Sequence, residues 1–254
     1  MIVRIIVSTL VVVISYAGFL AANAPASWVV AQARPQLSSA RVALADAQGS
    51  AWDGSAELLL RGDHLGRLHW STSPWALIGG NLDADFSISG DRIDLSGSVA
   101  SDGDITRLTD VHAQAGIDFL AGLLGIPADL EGTLVANFEE LVIQAPQTIK
   151  AADGKLVAHG VRIPALGVSL GNLTLKLDDS GNTVTGNLDN SGGDIALTGT
   201  LTLLPTGSYT LQATLKPRPG PKQNRIRDGL TAILGESDAA GRFRYSANGR
   251  INLQ

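Results

Sequence analysis

Residues 195–217 read IALTGTLTLLPTGSYTLQATLKP. Ile195, Leu197, Leu201 and Leu203 share one parity and Ala196, Thr198, Thr200 and Thr202 the other; Tyr209, Leu211, Ala213 and Leu215 likewise stand opposite Thr210, Gln212, Thr214 and Lys216. Successive side chains of a strand point to opposite faces, so a period of two predicts strands with one apolar and one hydroxylated face.

The same signature extends in both directions. Leu173, Leu175 and Leu177 alternate with Thr174, Lys176 and Asp178, and Leu134, Ala136 and Phe138 alternate with Val135, Asn137 and Glu139. Towards the N-terminus, Val42 and Leu44 alternate with alanines, Gly49-Ser50 turns the chain into Trp52 to Arg61, and Gly62-Asp63 turns it again into Leu65 to Thr72. Phe86-Ile88 and Ile93-Leu95 flank Gly90-Asp91 in the manner of a hairpin. A Gly-x-aliphatic step recurs at Gly80, Gly97, Gly132, Gly154, Gly171, Gly186, Gly199 and Gly249, and reads as a strand opener whose glycine lets a meander turn and a sheet curl. Its irregular spacing excludes a solenoid of fixed repeat. Two stretches have helical period: Ile117 to Leu124, stopped by Gly125 and Pro127, and Gln223 to Leu234, ended by Gly235 and preceded by the stiff connector Lys216-Pro217-Arg218-Pro219-Gly220-Pro221. The fold class expected is mainly β, a large curved, mostly antiparallel sheet with one or two short helices behind a single N-terminal membrane helix.

That membrane helix is read from Ile5 to Ala24. Residues 5–22 carry no charge and include Ile5, Leu10, Val12, Ile14, Phe19 and Leu20, a length that spans a hydrocarbon core of about 30 Å. Ala22-Asn23-Ala24 also fits a signal-peptide cleavage site, but Pro25 follows it and the apolar run exceeds the usual h-region, so an uncleaved anchor is expected. Arg4 precedes the span and the next charge is Arg34, which keeps the N-terminus in the cytoplasm. The organisation expected is residues 1–4 cytoplasmic, 5–24 signal anchor, 25–40 a juxtamembrane stalk in which Pro35 ends any helical continuation, and 41–254 a periplasmic β domain. Trp28 fits either the membrane–water boundary or a packed position in the first helix beyond it.

Composition narrows function by exclusion. The net charge is −5 with a pI near 5.3, and with no basic cluster read downstream of the anchor a nucleic-acid partner is not expected. The chain has no cysteine, which rules out thiol catalysis, thiolate metal sites and disulfides, and leans towards a bacterial periplasm. Gly167-Val168-Ser169-Leu170-Gly171 has the outline of a nucleophile elbow, yet strand alternation follows it where a helix is needed. Asp83, Asp85, Asp102, Asp104, Asp178 and Asp179 lack calcium-loop spacing, and His64 and His69, five apart, are expected on opposite faces of a strand. No catalytic, cofactor-binding or metal-ligating residue is identified.

The run Gly49-Ser50-Ala51-Trp52-Asp53-Gly54, followed by Leu68-His69-Trp70 and Pro74, resembles protein N of the type II secretion system. The resemblance continues through Leu188-Asp189-Asn190-Ser191-Gly192-Gly193, Gly199-Thr200-Leu201, Gly207-Ser208-Tyr209 and Leu215-Lys216-Pro217-Arg218 to Gly241-Arg242-Phe243. It implies a non-enzymatic inner-membrane accessory of the machine that exports folded proteins from the periplasm, partnered by platform or secretin subunits. It also implies structural roles for Trp52, Gly54, Trp70, Asn190, Gly192, Gly193, Gly199, Tyr209 and Pro217. The pattern is similar as well to AsmA-like proteins, which implies the alternative of a lipid-binding or lipid-transfer groove. Either way the apolar strand face needs a cover: the sheet folding over as a sandwich or barrel, a docked subunit, or acyl chains.

Overall fold

The computed structural model describes residues 23–39, 41–74, 81–124, 129–144, 148–179 and 183–250. The anchor residues Ile5, Leu10, Val12, Ile14, Phe19 and Leu20 lie outside them; among the described residues no helix is long and apolar enough to cross a membrane. The chain divides into two compact units, Met1–Asp91 and Arg92–Gln254.

The first unit comprises helix α1 (Ala26–Ser39) and strands β1 (Val42–Gly49), β2 (Asp53–Leu60), β3 (Asp63–Thr72) and β4 (Leu82–Ser89), antiparallel and paired in chain order. Pro35 is expected to end any helical continuation; residues 26–39 instead form one helix with Pro35 inside it. Ala26 and Val30 are buried, one helical turn apart, and α1 lies against β1, so tertiary packing offsets the N–H that Pro35 cannot supply. Trp28 is 57% exposed and is not a packed aromatic.

The second unit is a nine-stranded antiparallel meander, again in chain order: β5 (Ile93–Ser101), β6 (Ile105–Gly116), β7 (Glu131–Gln144), β8 (Thr148–Ile163), β9 (Val168–Asp179), β10 (Val184–Ser191), β11 (Ile195–Leu203), β12 (Ser208–Pro217) and β13 (Phe243–Arg250). Helix α2 (Ile117–Leu124) follows β6 and α3 (Gln223–Leu234) follows β12, where the helical period predicts them; the stop expected at Gly125 and Pro127 lies outside the described residues.

The recurring glycines do not open strands. Gly97, Gly154, Gly171, Gly186 and Gly199 sit inside strands, Gly132 is the second residue of β7 and Gly249 the penultimate residue of β13, while Gly80 lies outside the described residues. Their use is lateral. One cross-strand row runs Phe138, Gly154, Leu177, Gly186, Leu201, Leu211, Ala247. A Cβ on Gly154 would stand 2.7 Å from Phe138 Cδ1, and one on Gly186 would stand 2.9 Å from both Leu175 Cδ1 and Leu177 Cδ2. Large side chains therefore close over the glycines between them, and the sheet bends: Cα atoms of β8 and β10, and of β9 and β11, approach within 8 Å, where strands two apart in a flat sheet lie about 9.5 Å apart.

This bend answers the question of the cover in part. Among the described residues no pairing joins β5 to β13, so by its strand order the unit is neither a closed barrel nor two stacked sheets. Instead the apolar face turns in on itself, burying Ala152, Leu177, Val184 and Leu203 with Phe138, Leu156, Leu175, Leu201 and Tyr209 against them.

Candidate functional site

The residues picked out by sequence fall into one group in each unit, with two others along the second sheet. In the first unit, Ser50 Oγ accepts from the N–H groups of Trp52 (3.2 Å) and Asp53 (3.0 Å), making the tight turn between β1 and β2. Gly54 stands opposite Trp70 in the ladder, and a Cβ there would lie 2.5 Å from the indole and 2.6 Å from the Ser50 carbonyl. The indole lies over bare backbone and its Nε1 donates to the Ala51 carbonyl at 3.1 Å. Trp52, Gly54 and Trp70 thus lock one turn.

The denser group is at the β10–β11 turn of the second unit. Asn190 belongs to the apolar face of β10 by alternation, and its amide works against backbone: Nδ2 donates to the carbonyls of Leu170 and Ile195, both at 2.7 Å, and Oδ1 accepts from the N–H of Leu197 at 2.8 Å and from Arg218 at 3.3 Å. Two carbonyls and two N–H donors leave one consistent orientation for the amide. Gly192 (φ 72°) and Gly193 (φ 76°) turn the chain, and a Cβ on Gly193 would lie 2.5 Å from the Leu170 carbonyl carbon. Pro217 is buried opposite Ile195. Gly199 and Tyr209 lie elsewhere, Gly199 against Ala213 and Tyr209 with its ring over Gly249.

Three residues of this cluster escape pattern reading. Asp194 accepts from Ser169 N–H at 2.8 Å and from Lys222 Nζ at 3.3 Å; Lys222 also reaches the Gly167 carbonyl, and Arg225 donates to the Leu166 carbonyl. They tie the start of α3 to the β8–β9 turn, while Arg218 ties the chain ahead of α3 to Asn190. Ser169 is thereby a strand residue in this clasp, with no elbow. The Ser169 N–H, followed by the Lys222 ammonium, holds the Asp194 carboxyl below its usual range. Asp238, bonded by Arg242, and Asp102, bonded by the N–H groups of Ile105 and Asp104, are lowered in the same way and serve as turn acceptors.

The signal that could have found the clasp is charge. Residues 216–250 hold eight Lys or Arg against three Asp or Glu, a net +5 in a chain of −5, so the reading that no basic cluster stands out is corrected. On the hydroxylated face of β11–β13 lies an open hollow of about 500 Å³ lined by Thr198, Thr200, Gln212, Thr214, Arg244 and Ser246 among others.

A second correction concerns the histidines. Arg67 bonds Glu57 at 3.2 Å and His64 Nδ1 lies 3.6 Å from the same carboxylate, so they share a face although three residues apart; a bulge at Leu65–Gly66 reverses the parity and brings His64 to the face of His69 as well. Among the described residues no three His, Cys, Asp or Glu side chains gather as a metal-binding set.

Residues 40–246 match the family described as type II secretion system (T2SS), protein N. A curated protein named type II secretion system protein N, from Aeromonas hydrophila, is 29% identical over 249 residues, spanning 94% of this chain and 95% of the relative. No solved structure matches.

Proposed function

The chain belongs to the type II secretion system protein N family, and from that premise we propose that it is a non-enzymatic inner-membrane accessory of the secretion machine, a scaffold that supports export of folded proteins across the outer membrane. The observation that carries this is the extent of the match: residues 40–246 take in all but the last residues of the thirteen strands, so what the family shares is the β units themselves. Antiparallel sheets with polar faces and open edges offer docking surface to platform or secretin subunits. Clean deletion is expected to trap exoproteins in the periplasm, with rescue by the full chain; unimpaired secretion from the deletion strain would overturn the reading.

The membrane part of the proposal rests on the uncharged run 5–22 and on exposed Trp28 a few residues beyond it. It predicts that the protein stays with membranes at high pH and keeps its N-terminus; a mature form beginning at Pro25 would sink it. A second reading, a lipid-handling groove, draws support from Leu173, Leu175, Leu197, Leu211 and Leu215, which remain half-buried on the bent apolar face. Mass spectrometry of protein extracted in mild detergent tests it, and absence of bound lipid removes it.

A further inference from the structure

We propose that strand β13 is a docking edge that takes up an extended, acidic segment of another polypeptide by strand addition. This names a partner class for the secretion reading and rests on it only in expecting a protein occupant.

The two ends of the chain treat their edge strands differently. β1 is broken by a bulge between Ala45 and Gln48, holds Asp46 at φ 47°, and has α1 lying against it, all devices that spoil an edge for pairing. β13 has neither a bulge nor a residue at positive φ, and the helix that touches it, α3, touches β12 as well. β13 is eight residues long, free of proline, and paired to β12 without a register shift from Ser208↔Arg250 to Leu215↔Phe243. It is also last in the strand order, so alternate N–H and C=O groups along its outer side have no ladder partner among the described residues.

Charge selects the occupant. Of the cations in 216–250, Arg218, Lys222, Arg225 and Arg242 are engaged within the fold. Arg244 and Lys216 have no partner among the described residues and share the hydroxylated face, Arg244 directly across from Thr214 and Lys216 two residues beyond it. An added strand would set every second side chain beside Arg244 and along the rim of the Thr- and Ser-lined hollow, where carboxylates are favoured. A second copy of β13 would instead bring like charges together. An anionic bilayer needs many free cations spread over one surface, and four of the eight in 216–250 are engaged within the fold.

The test uses the full chain in detergent and three fluorescent eight-residue peptides: alternating Glu and Val, alternating Lys and Val, and the Glu–Val peptide N-methylated at every second residue. Anisotropy is expected to show binding of the Glu–Val peptide alone. Arg244→Glu, at an exposed position, should weaken it at least tenfold and transfer the preference to Lys–Val; Arg244→Gln should weaken it less, and circular dichroism checks that both variants keep the fold. Equal binding of the N-methylated peptide would mean charge without strand addition and overturn the proposal. So would binding to phosphatidylglycerol vesicles but not to peptide, concentration-dependent dimers that block the peptide, or no binding of any peptide, which would leave Arg244 a simple edge guard. None of these results depends on the secretion phenotype.

Discussion

Removing the Asn190 side chain should cost the second unit more than any other single polar change. Its amide makes three bonds to backbone groups, at 2.7, 2.7 and 2.8 Å, in a partly buried position. Each such bond contributes about 0.5–1.5 kcal/mol net, and a buried partner left unmet costs about 1–3 kcal/mol. Water reaches some of the orphaned groups, so Asn190→Ala is expected to lose about 2–4 kcal/mol. At roughly 2–4 °C per kcal/mol for a unit of this size, Tm falls by about 5–15 °C. Asn190→Asp isolates the donor: one carboxylate oxygen can still accept from Leu197 and Arg218 but the other sets an acceptor against the carbonyls of Leu170 and Ile195, so at neutral pH it should be no better than alanine. Urea unfolding followed by far-UV circular dichroism measures both; Trp28, Trp52, Trp70 and Trp75 all belong to the first unit and would not report it. A loss below about 0.5 kcal/mol for alanine, or an aspartate variant as stable as the parent, refutes the clamp.

Gly54→Ala should drive the Trp70 indole off the backbone, costing about 1–3 kcal/mol and shifting tryptophan emission to the red; unchanged emission contradicts the turn lock. Gly186→Val puts two methyl groups among Leu175, Leu177 and Leu201 and should cost at least about 2 kcal/mol in the same circular dichroism experiment, whereas Gly220→Ala, with open space around it, should cost little. Because the folded carboxyl of Asp194 sits below its ordinary 3.8, its contribution is fully present above that pH and is lost as pH falls through the lower folded value. Asp194→Asn should therefore reduce stability at neutral pH and flatten the acid end of the stability profile, and a profile parallel to the parent's would contradict it. Leu177→Ala should cost about 2–4 kcal/mol by cavity formation, and a smaller loss would mean that the bent face is open to water.

The strands from Val42 onward were legible because a half-buried strand writes its burial into every second residue, as Leu173–Leu177 and Ile195–Leu203 do. Helices at Ile117 and Gln223 were legible for the corresponding reason. Pro35 misled because local rules assign a proline its cost without the packing of Ala26 and Val30 that offsets it. His64 misled because one bulge, invisible to counting, inverts parity for every residue beyond it. The glycines were noticed but misassigned: a sequence shows what precedes and follows Gly186, not that Leu177 and Leu201 flank it from neighbouring strands. The clasp of Asp194, Lys222 and Arg225 joins residues up to 59 apart and left only a charge imbalance as its trace.

In each unit every strand pairs with the one made just before it. Among the described residues no strand waits for a distant partner, so loop-closure cost stays low at each step and each unit's strands can be laid down hairpin by hairpin in chain order. A growth process of that kind has a direction and a last course. The nascent edge is always the newest strand, and it offers the same unpaired groups to whatever arrives next. Among the described residues β13 is the last course in that order, and a partner strand arriving there would extend the sheet by one further step.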